Sequence, residues 1–388
     1  MSVPKLRFPD YSGDWKKSTI GESGEFYYGR SCPKWSVTDD ATIPCIRYGE
    51  LYTKFENKID KVYSYTSIEP TNLHFSKGTE VLVPRVGEDP MDYTHCAWLS
   101  LPNVAIGEMI SVYNTDNNPL FTALMFNAKL RTEFAKRVEG GSVTNLYYEK
   151  LRNIVIYYPA DLEEQQKIAD FLSTVDEVIV QSEAEVQNLE QQKKAAMQKI
   201  FSQEVRFKRE DGTEYPEWEE TTIGEYCDIL DNLRKPITKK DREAGIYPYY
   251  GSTNIQDYVS DYIFDEPLVL LGEDAAPFMD FRNKPIAQLA TGKYWVNNHA
   301  HCLRPHGNVV FFYYSVVHKD IRDYINNPER AKLNQEDMVK IPILLPCDEE
   351  QQKIADFLSA YDEAISYAKQ ELEHWKQLKK GLLQQMFV

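Results

Sequence analysis

The chain has 388 residues, a formal net charge of −16, 42% hydrophobic residues and six scattered cysteines without a C-x-x-C pair. No apolar run reaches the roughly 18–20 residues that span a bilayer, and residues 1–17 are too polar for a signal peptide. These features argue against a membrane protein and against a disulfide framework, and they predict a cytoplasmic protein of two or three domains. The net acidity, taken alone, argues against a nucleic-acid partner.

The acidic charge is unevenly distributed along the chain. Residues 161–203 hold nine acidic and four basic side chains, and residues 348–388 hold eight and five. Residues 1–160 are near neutral, with 19 acidic and 18 basic side chains. Within residues 204–347 much of the acidic excess lies in Glu204–Glu225. Both large segments can therefore carry a local basic face.

Residues 1–160 are predicted to form a sheet-rich domain. Short runs such as IPCIRYGEL and TEVLVPRVG, broken by Gly, Pro, Asn and Asp, are typical of short strands and exposed loops, and Leu120–Val138 is predicted to be helical. Loop side chains that can anchor phosphates or read bases are candidates for DNA contact, although each such loop, taken singly, is more often a solvated turn. The candidates are Arg30, Lys34, Trp35, Arg47, Tyr48, Arg85, Thr144 and Asn145.

Residues 161–203 are predicted to form one long amphipathic helix. Asp161 can serve as its N-cap, and Glu164 places negative charge on the first turn. About 40 residues at 1.5 Å each make a rod of roughly 60 Å. Apolar residues recur at alternating intervals of four and three, which is a heptad seam. The seam residues are Ile168, Leu172, Val175, Ile179, Val186, Leu189, Ala196 and Ile200.

Residues 204–347 repeat the plan of the first domain with different letters. The lead RF…W…TIGE of Arg7–Glu22 returns at Arg206–Glu225, runs such as PLVLLGED predict strands, and Val309–Ile325 is predicted to be helical. The candidates for DNA contact again lie in loops. They are Arg234, Lys235, Lys239, Lys240, Tyr250, Ser252, Thr253, Asn254, Arg282, Lys284, Lys293, Tyr294, Trp295, Asn298, Arg330 and Lys332.

Residues 348–388 are predicted to form a second long helix that duplicates the first. EEQQKIADFLS at Glu163–Ser173 returns letter for letter at Glu349–Ser359, 186 residues later, and 20 of 39 aligned positions are identical. A match of that length indicates a duplication, and we expect the second copy to be complete. Asp348 can serve as the N-cap. The seam residues are Ile354, Leu358, Tyr361, Ile365, Ala368, Leu372, Trp375, Leu382 and Met386.

Two equivalent apolar stripes in one chain predict that the helices pair with each other. The duplication favours an antiparallel coiled coil with pseudo-twofold symmetry. The alternative is two independent helices, each packed on its own domain. The predicted fold class is α+β (mixed), with two sheet-rich domains at residues 1–160 and 204–347, each followed by a long helix at residues 161–203 and 348–388.

The sequence lacks the motifs of catalysis. It contains no G-x-x-x-x-G-K-[ST] and no G-x-G-x-x-G after a strand. NPLF at Asn118–Phe121 approximates the N-P-P-[YF] loop of amino-methyltransferases, but Leu120 replaces the second proline. His299 and His301 share one side of a predicted strand without a third ligand at a recognisable spacing, which favours a structural role. We therefore expect no catalytic residue, metal or cofactor in this chain.

Taken together, these residues resemble the specificity subunit of type I restriction–modification systems. The resemblance spans essentially the whole chain. It is carried by the duplicated EEQQKIADFLS, by LRFPDYSGDW and YPEWEE in the leads, and by IPCIRYGEL, YPYYGSTNI and KYWVNNHAHCL.

The resemblance implies a non-catalytic subunit that reads DNA. Two target-recognition domains would each bind half of a split, asymmetric double-stranded site, with the helices as a spacer. The helices would also dock methyltransferase subunits, two by symmetry, and restriction subunits would join through these. S-adenosylmethionine, ATP and Mg²⁺ would bind the partner subunits. Presentation of one surface to two identical partners would keep the repeated segments alike. The rival interpretation is a non-DNA scaffold whose coiled coil carries two unrelated binding modules.

Overall fold

The computed structural model describes residues 3–87, 89, 93, 95–141, 144–274, 276–326 and 331–388. The chain divides into two compact units. The first unit comprises Met1–Glu183 and Gln370–Val388, and the second comprises Ala184–Lys369. None of the helices in the described part of the chain combines the length and apolar character that a bilayer crossing requires. All six cysteines are free thiols.

The first unit contains one sheet-rich domain and parts of two long helices. Its helices are α1 (Tyr48–Leu51), α2 (Pro119–Lys129), α3 (Arg131–Ala135), the first part of α4 (Leu162–Phe201) and the last part of α8 (Asp348–Met386). Its strands are β1 (Lys16–Thr19), β2 (Gly24–Tyr28), β3 (Ile43–Ile46), β4 (Lys58–Ile59), β5 (Ser64–Thr66), β6 (Phe75–Lys77), β7 (Glu80–Pro84), β8 (Val86–Gly87), β9 (Ala97–Leu99), β10 (Pro102–Ile106), β11 (Ile110–Thr115), β12 (Glu139–Gly140), β13 (Thr144–Asn145) and β14 (Val155–Tyr158).

Two mixed sheets form the body of this domain. The described strands pair in the orders β2-β11-β7-β9-β4 and β5-β3-β10-β6, with a small sheet β12-β13-β8 beside them and β1 paired to β14. Helix α2 packs on β7 and β9 and contributes Phe121 and Phe126 to the main core. The helix predicted over Leu120–Val138 is interrupted at Leu130, and α3 follows as a separate short helix.

The second unit repeats this plan with the same strand order in its two main sheets and in its separate two-stranded pair. Its strands are β15 (Glu219–Thr222), β16 (Cys227–Ile229), β17 (Ala244–Tyr250), β18 (Ile255–Val259), β19 (Phe264–Asp265), β20 (Leu268–Gly272), β21 (Ala287–Ala290), β22 (Lys293–Val296), β23 (Ala300–Pro305) and β24 (Pro342–Leu345). Its helices are the last part of α4, α5 (Ile223–Tyr226), α6 (Val309–Val316), α7 (Gln335–Met338) and the first part of α8 (Asp348–Met386). The described strands form the sheets β16-β23-β20-β21 and β18-β17-β22-β19, and β15 pairs with β24. The helix predicted over Val309–Ile325 ends at Val316.

The two long helices have the predicted lengths, 40 and 39 residues. Asp161 precedes α4 as predicted, and its carboxylate accepts a hydrogen bond from the Glu163 amide (2.8 Å). Helix α8 begins at Asp348 itself, so the prediction of Asp348 as the N-cap is wrong by one residue. Cys347 occupies the position before the helix, and its carbonyl accepts from the Gln351 amide (2.9 Å).

The helices run antiparallel within each unit. In the first unit Asp176 pairs with Lys379 (2.5 Å) and Glu183 pairs with Lys376 (2.7 Å). A later residue of α4 therefore pairs with an earlier residue of α8, which is the antiparallel arrangement. The second unit has the equivalent ion pair. Asp362, which is 186 positions after Asp176, pairs with Lys193, which is 186 positions before Lys379, also at 2.5 Å. One duplicated ion pair therefore occurs in both units, as the predicted symmetry requires.

The predicted seam residues provide the apolar contact between these helices and their domains. Burying each such side chain is worth about 1.5–3 kcal/mol. Ile168, Leu172, Val175, Ile179, Val186, Ile354, Leu358 and Ile365 are buried. Leu189, Tyr361, Leu372 and Trp375 are half-buried.

A buried carboxylate fastens the lead of the first unit to the start of α4. Glu164 is 2% exposed and accepts from Arg7 Nε (2.7 Å), Arg7 Nη2 (2.9 Å) and Trp15 Nε1 (3.3 Å). These hydrogen bonds raise the pKa of the Arg7 guanidinium above its ordinary value. The lead motif RF…W and the repeated helix start are therefore two halves of one contact.

The second unit makes the same contact with its own copies. Glu350 is fully buried and accepts from Arg206 Nη2 (2.8 Å) and Trp218 Nε1 (3.1 Å). Arg206 also donates to the carbonyl of Pro216 (2.5 Å). Because lead and helix start recur together, the duplication preserves a complete contact.

The glutamines of the repeated segment clamp the helix that packs on each sheet. Gln165 Oε1 accepts from the Asn118 amide (2.7 Å), and Asn118 in turn caps α2 by accepting from the Phe121 amide (2.9 Å). In the second unit Gln351 and Asn308 make the equivalent contact (3.3 Å) at the start of α6. NPLF is thus a capped helix start.

These contacts change the explanation of the verbatim repeat. Glu164, Gln165, Glu350 and Gln351 are all at most 3% exposed and face their own domains. These four residues are therefore not part of a surface that the repeated segment can present to a partner. Their chemistry is retained in both copies because each copy satisfies the same buried donors.

Candidate nucleic-acid interface

Three arginines from distant parts of the first unit border one turn. The turn joins β10 to β11, and its peptide groups hold the segments that follow β2, β3 and β7. The bonds are Arg30 N to Ile106 O (2.8 Å), Gly107 N to Ile46 O (2.9 Å) and Arg85 N to Met109 O (3.1 Å). The approach is close, since a Cβ on Gly29 would meet the carbonyl oxygen of Gly107 at 2.1 Å. The sequence candidates Arg30, Arg47 and Arg85 are thereby gathered in one region.

The second unit builds the same framework from different residues. The turn joins β22 to β23 and holds the segments that follow β16, β17 and β20. The bonds are Lys235 N to Val296 O (3.4 Å), Asn297 N to Tyr250 O (3.1 Å) and Glu273 N to His299 O (2.9 Å). Each unit adds one more bond to a later segment. These are Leu146 N to Arg85 O (2.8 Å) in the first unit and Leu333 N to Glu273 O (2.7 Å) in the second.

The shared framework makes positions of the two domains comparable although their sequences are not. Arg30 corresponds to Lys235, so this position is basic in both units. Arg85 corresponds to Glu273, so the position after β7 or β20 carries opposite charge in the two units. We call these the framework positions, and we call the loop ends around each turn the recognition edge.

Arg85 is held by aromatic rings. Its guanidinium carbon lies 4.5 Å from the ring centroid of Tyr28 and 5.2 Å from that of Tyr147. Its Nε is buried and has no hydrogen-bond partner among the described residues. Burial, followed by the charge of Glu149, raises the pKa of Tyr28 to about 12, so the ring beside Arg85 is neutral at physiological pH.

Glu273 lies in a network of charges that neutralise one another. Arg234 donates to it (2.6 Å) and also pairs with Asp231 (3.1 Å), while Lys332 lies 3.2 Å from its second oxygen. Burial raises the pKa of Glu273, but the hydrogen bonds from Arg234 and Lys332 outweigh burial and hold that pKa below its ordinary value.

Asp231, Glu273 and His301 come within 4.8 Å of one another, a spacing that metal ligands can have. Both ring nitrogens of His301 are already engaged, Nδ1 with Asp231 (2.5 Å) and Nε2 with the carbonyl of Leu333 (2.9 Å). Arg234 and Lys332 supply the counter-charge to the two carboxylates. In this structure the three groups are therefore joined to one another and to neighbouring cations by hydrogen bonds and ion pairs.

The other candidates of the first unit are divided between surface and core. Lys34 is exposed and begins a short 3₁₀ turn with Trp35, which is 73% exposed. Tyr48 and Asn145 are half-buried. Thr144 is buried, and its hydroxyl bonds to that of Tyr93 (2.8 Å), so it supports the recognition edge from beneath.

The candidates of the second unit are divided in the same way. Tyr294 is fully buried and stacks on Phe264 (5.6 Å), and Ser252 is buried with its hydroxyl on the carbonyl of Asp274 (2.5 Å), so neither offers its side chain to a ligand. Arg234 is engaged as described, and Arg330 lies outside the described residues. The exposed candidates are Lys235, Lys239, Lys240, Asn254, Arg282, Lys284, Lys293, Asn298 and Lys332. The half-buried ones are Tyr250, Thr253 and Trp295.

The repeated helix starts also present an outer face. Phe171 and Phe357 are each 38% exposed and pack edge-on against the lead, on Phe8 (5.7 Å) and Phe207 (5.5 Å) respectively. Exposed residues of the same face are Glu163, Gln166, Lys167 and Asp170 in α4 and Glu349, Gln352 and Asp356 in α8. This set, with Phe171 and Phe357, is the outer face of the helix starts. The buried seam residues lie inside the units and do not contribute to this face.

Sequence reasoning did not identify the contacts that hold the helix starts or those that organise the recognition edges. Glu164 and Gln165 are identical to Glu350 and Gln351 in the repeat. The lead recurs together with the repeated helix start, and this joint recurrence was the signal that the two are in contact. The framework positions had no such signal, because the bonds join peptide groups and leave the side chains free to differ.

Comparisons with known proteins give a match in each half of the chain. A family model for the type I restriction modification DNA specificity domain matches residues 100–191 and 215–376. The chain is 36% identical over 146 residues to a Haemophilus influenzae protein assigned as a type I restriction enzyme specificity subunit, covering 37% of each chain. It is 27% identical over 266 residues to a Methanocaldococcus jannaschii protein assigned as the MjaX specificity subunit, covering 64% of this chain and 61% of that one. These alignments therefore span less than two thirds of either relative.

Solved structures show the same fold over the full length. The S subunit of a type I restriction-modification system from M. genitalium superposes with a TM-score of 0.65 at 17% identity, covering 100% of this chain and 99% of that one. A chain from a study of type I R-M complex assembly and conformational transition superposes with a TM-score of 0.59 at 16% identity, covering 96% and 97%.

Proposed function

The chain belongs to the type I restriction–modification DNA specificity family, and we propose that it is the subunit that reads DNA for such a complex. Each sheet-rich domain contacts one half of a split, asymmetric double-stranded site through its recognition edge. The observation that carries this proposal is the repeated framework with unlike side chains. One scaffold bearing Arg85 in one unit and Glu273 in the other suits two readers of different half-sites.

The charge pattern supports DNA contact through the recognition edges. Exposed cations at the recognition edge, such as Arg30 and Lys235, are suited to phosphates, which fix register on the duplex. The acidic excess belongs mainly to the long helices, residues 161–203 and 348–388, and to the flank Glu204–Glu225. Net acidity of the whole chain is therefore compatible with DNA binding by its domains.

The outer face of the helix starts is proposed to dock methyltransferase subunits. It occurs twice with the same residues, so it offers two equivalent sites, and restriction subunits then join through the methyltransferases. Phe171 and Phe357 are large exposed aromatics of the kind that anchor protein interfaces.

Chemistry is proposed to reside in the partners. S-adenosylmethionine, ATP and Mg²⁺ bind those subunits, and this chain alone neither methylates nor cleaves DNA. The absence of nucleotide and cofactor motifs from the sequence supports this assignment.

The test is methylation mapping in a host that carries the chain with its methyltransferase partner, together with binding of the purified complex at two salt concentrations. We expect a bipartite, asymmetric site with a constant gap, and affinity that falls steeply with salt, by a log–log slope of about −0.9 per phosphate contacted. A continuous palindromic site would overturn the two-reader proposal. Absence of specific DNA binding by the complex would favour the scaffold interpretation.

A further inference from the structure

Arg85 differs from the other arginines of the recognition edges in how it is held. Tyr28 and Tyr147 contact its guanidinium through their ring faces, at 4.5 and 5.2 Å. A ring face attracts the cation without accepting its N–H groups in the manner of a carboxylate. The plane of the guanidinium is therefore oriented, while its terminal N–H groups make no hydrogen bond to any of the described residues.

Arg234 in the second unit shows the contrasting arrangement. Its N–H groups are taken by Glu273 (2.6 Å), by Asp231 and by the carbonyl of Ala300 (2.8 Å). Such an arginine holds protein segments together and has little capacity for a base. Among the described residues Arg85 has neither an acceptor at its buried Nε nor an ion pair, and its guanidinium contacts the two rings.

The backbone around Arg85 is also fixed. Its amide donates to the carbonyl of Met109 (3.1 Å), and its carbonyl accepts from the Leu146 amide (2.8 Å). The side chain therefore projects from a segment held on both sides, which is the support that a base-reading group needs. A cation that merely follows the phosphate backbone does not require this rigidity.

We propose that Arg85 reads a guanine in the half-site of the first recognition domain, with Tyr28 and Tyr147 as positioning residues. The inference rests on the proposed function. A guanidinium presents two parallel N–H donors that match the O6 and N7 acceptors of guanine in the major groove. The framework equivalence adds a second reason. The same position carries Glu273 in the other unit, where Arg234 and Lys332 neutralise it, so the two readers present different side chains at this position.

The experiment uses the complex of the full chain with its methyltransferase partner and the mapped recognition site. Arg85→Ala, Arg85→Gln and Tyr147→Leu are compared with the wild type on duplexes that carry every single substitution in both half-sites. Arg131→Ala is the matched control, because it removes one exposed arginine from the same unit on α3.

We expect Arg85→Ala to bind the cognate site about 5- to 150-fold more weakly, the range that one bidentate base contact supplies, and to lose discrimination at a single G·C pair. Arg85→Gln should move preference at that pair toward A·T, since an amide matches adenine. Tyr147→Leu should weaken discrimination at the same pair, and the second half-site should be unchanged throughout. The Gln variant keeps a polar head and tests the position even where the Ala variant does not fold.

Each failure has a distinct signature. Uniform weakening across all sequences, with the salt slope reduced by about one, would make Arg85 a phosphate contact and overturn the inference. Unchanged preference at every position in Arg85→Gln would overturn it as well. A wild-type complex without a specific site would instead refute the proposed function.

Discussion

Removal of the Glu164 carboxylate tests the contact between the lead and the helix. Glu164→Ala deletes the acceptor of three hydrogen bonds and leaves the Arg7 side chain, 13% exposed, without its counter-ion. Breaking one partner of a buried pair costs about 3–5 kcal/mol. Arg7→Ala leaves Glu164 buried with only the longer bond from Trp15 and should cost a similar amount. The double variant should cost clearly less than the sum, because no unpaired charge remains.

Local opening is the appropriate measurement, since two compact units need not unfold together. Hydrogen exchange followed by mass spectrometry, on peptides covering residues 5–20 and 162–173, reports the free energy of opening at the contact. Peptides covering residues 206–223 report the equivalent contact of the second unit and should be unaffected. Glu350→Ala should give the reciprocal result.

Glu163→Ala is the matched control, since it removes an exposed carboxylate of the same repeat and should change the opening free energy by no more than about 0.5 kcal/mol. A Glu164→Ala effect no larger than this control would refute the argument. Strict additivity of the Arg7 and Glu164 variants would refute it too, because it would mean that the two groups do not interact.

Three other predictions concern assembly and site geometry. The double variant Phe171→Asp, Phe357→Asp should abolish co-purification of methyltransferase subunits, and either change alone should leave one subunit bound. Val180→Asp changes another exposed apolar residue of α4 and is the control, which should retain both subunits. Replacement of the first recognition domain by another reader should change one half-site in methylation maps and leave the gap; a change in both halves would contradict it. A four-residue insertion after Val186, matched by one at the equivalent point after Leu372, lengthens each helix by about 6 Å and should change the gap by one or two base pairs. An insertion in one helix alone should disrupt the antiparallel ion pairs and destabilise the chain, and a stable single-insertion protein with an unchanged gap would refute this.

The long helices were predictable because their information is local. A heptad pattern that runs without proline dictates both helicity and the buried stripe, and the structure has α4 and α8 at nearly the predicted bounds with most of the predicted seam buried. Duplication added the antiparallel pairing, which Asp176–Lys379 and Lys193–Asp362 confirm. The interpretation of the repeated letters was less successful. Identity between copies does not tell whether a residue faces a partner or its own domain.

The recognition edges could be predicted only as a set of loops. Which loop residues are buried, as Tyr294 is, or engaged, as Arg234 is, depends on strands that meet across long stretches of sequence. The sequence by itself determined the mixed α+β class, the duplicated plan and the helix pair, because periodicity and repetition survive in the order of residues. Only the tertiary structure decided that Arg85 and Glu273 occupy equivalent positions. The equivalence rests on hydrogen bonds between peptide groups within each domain, and such bonds do not require particular side chains, so the sequence does not reveal them.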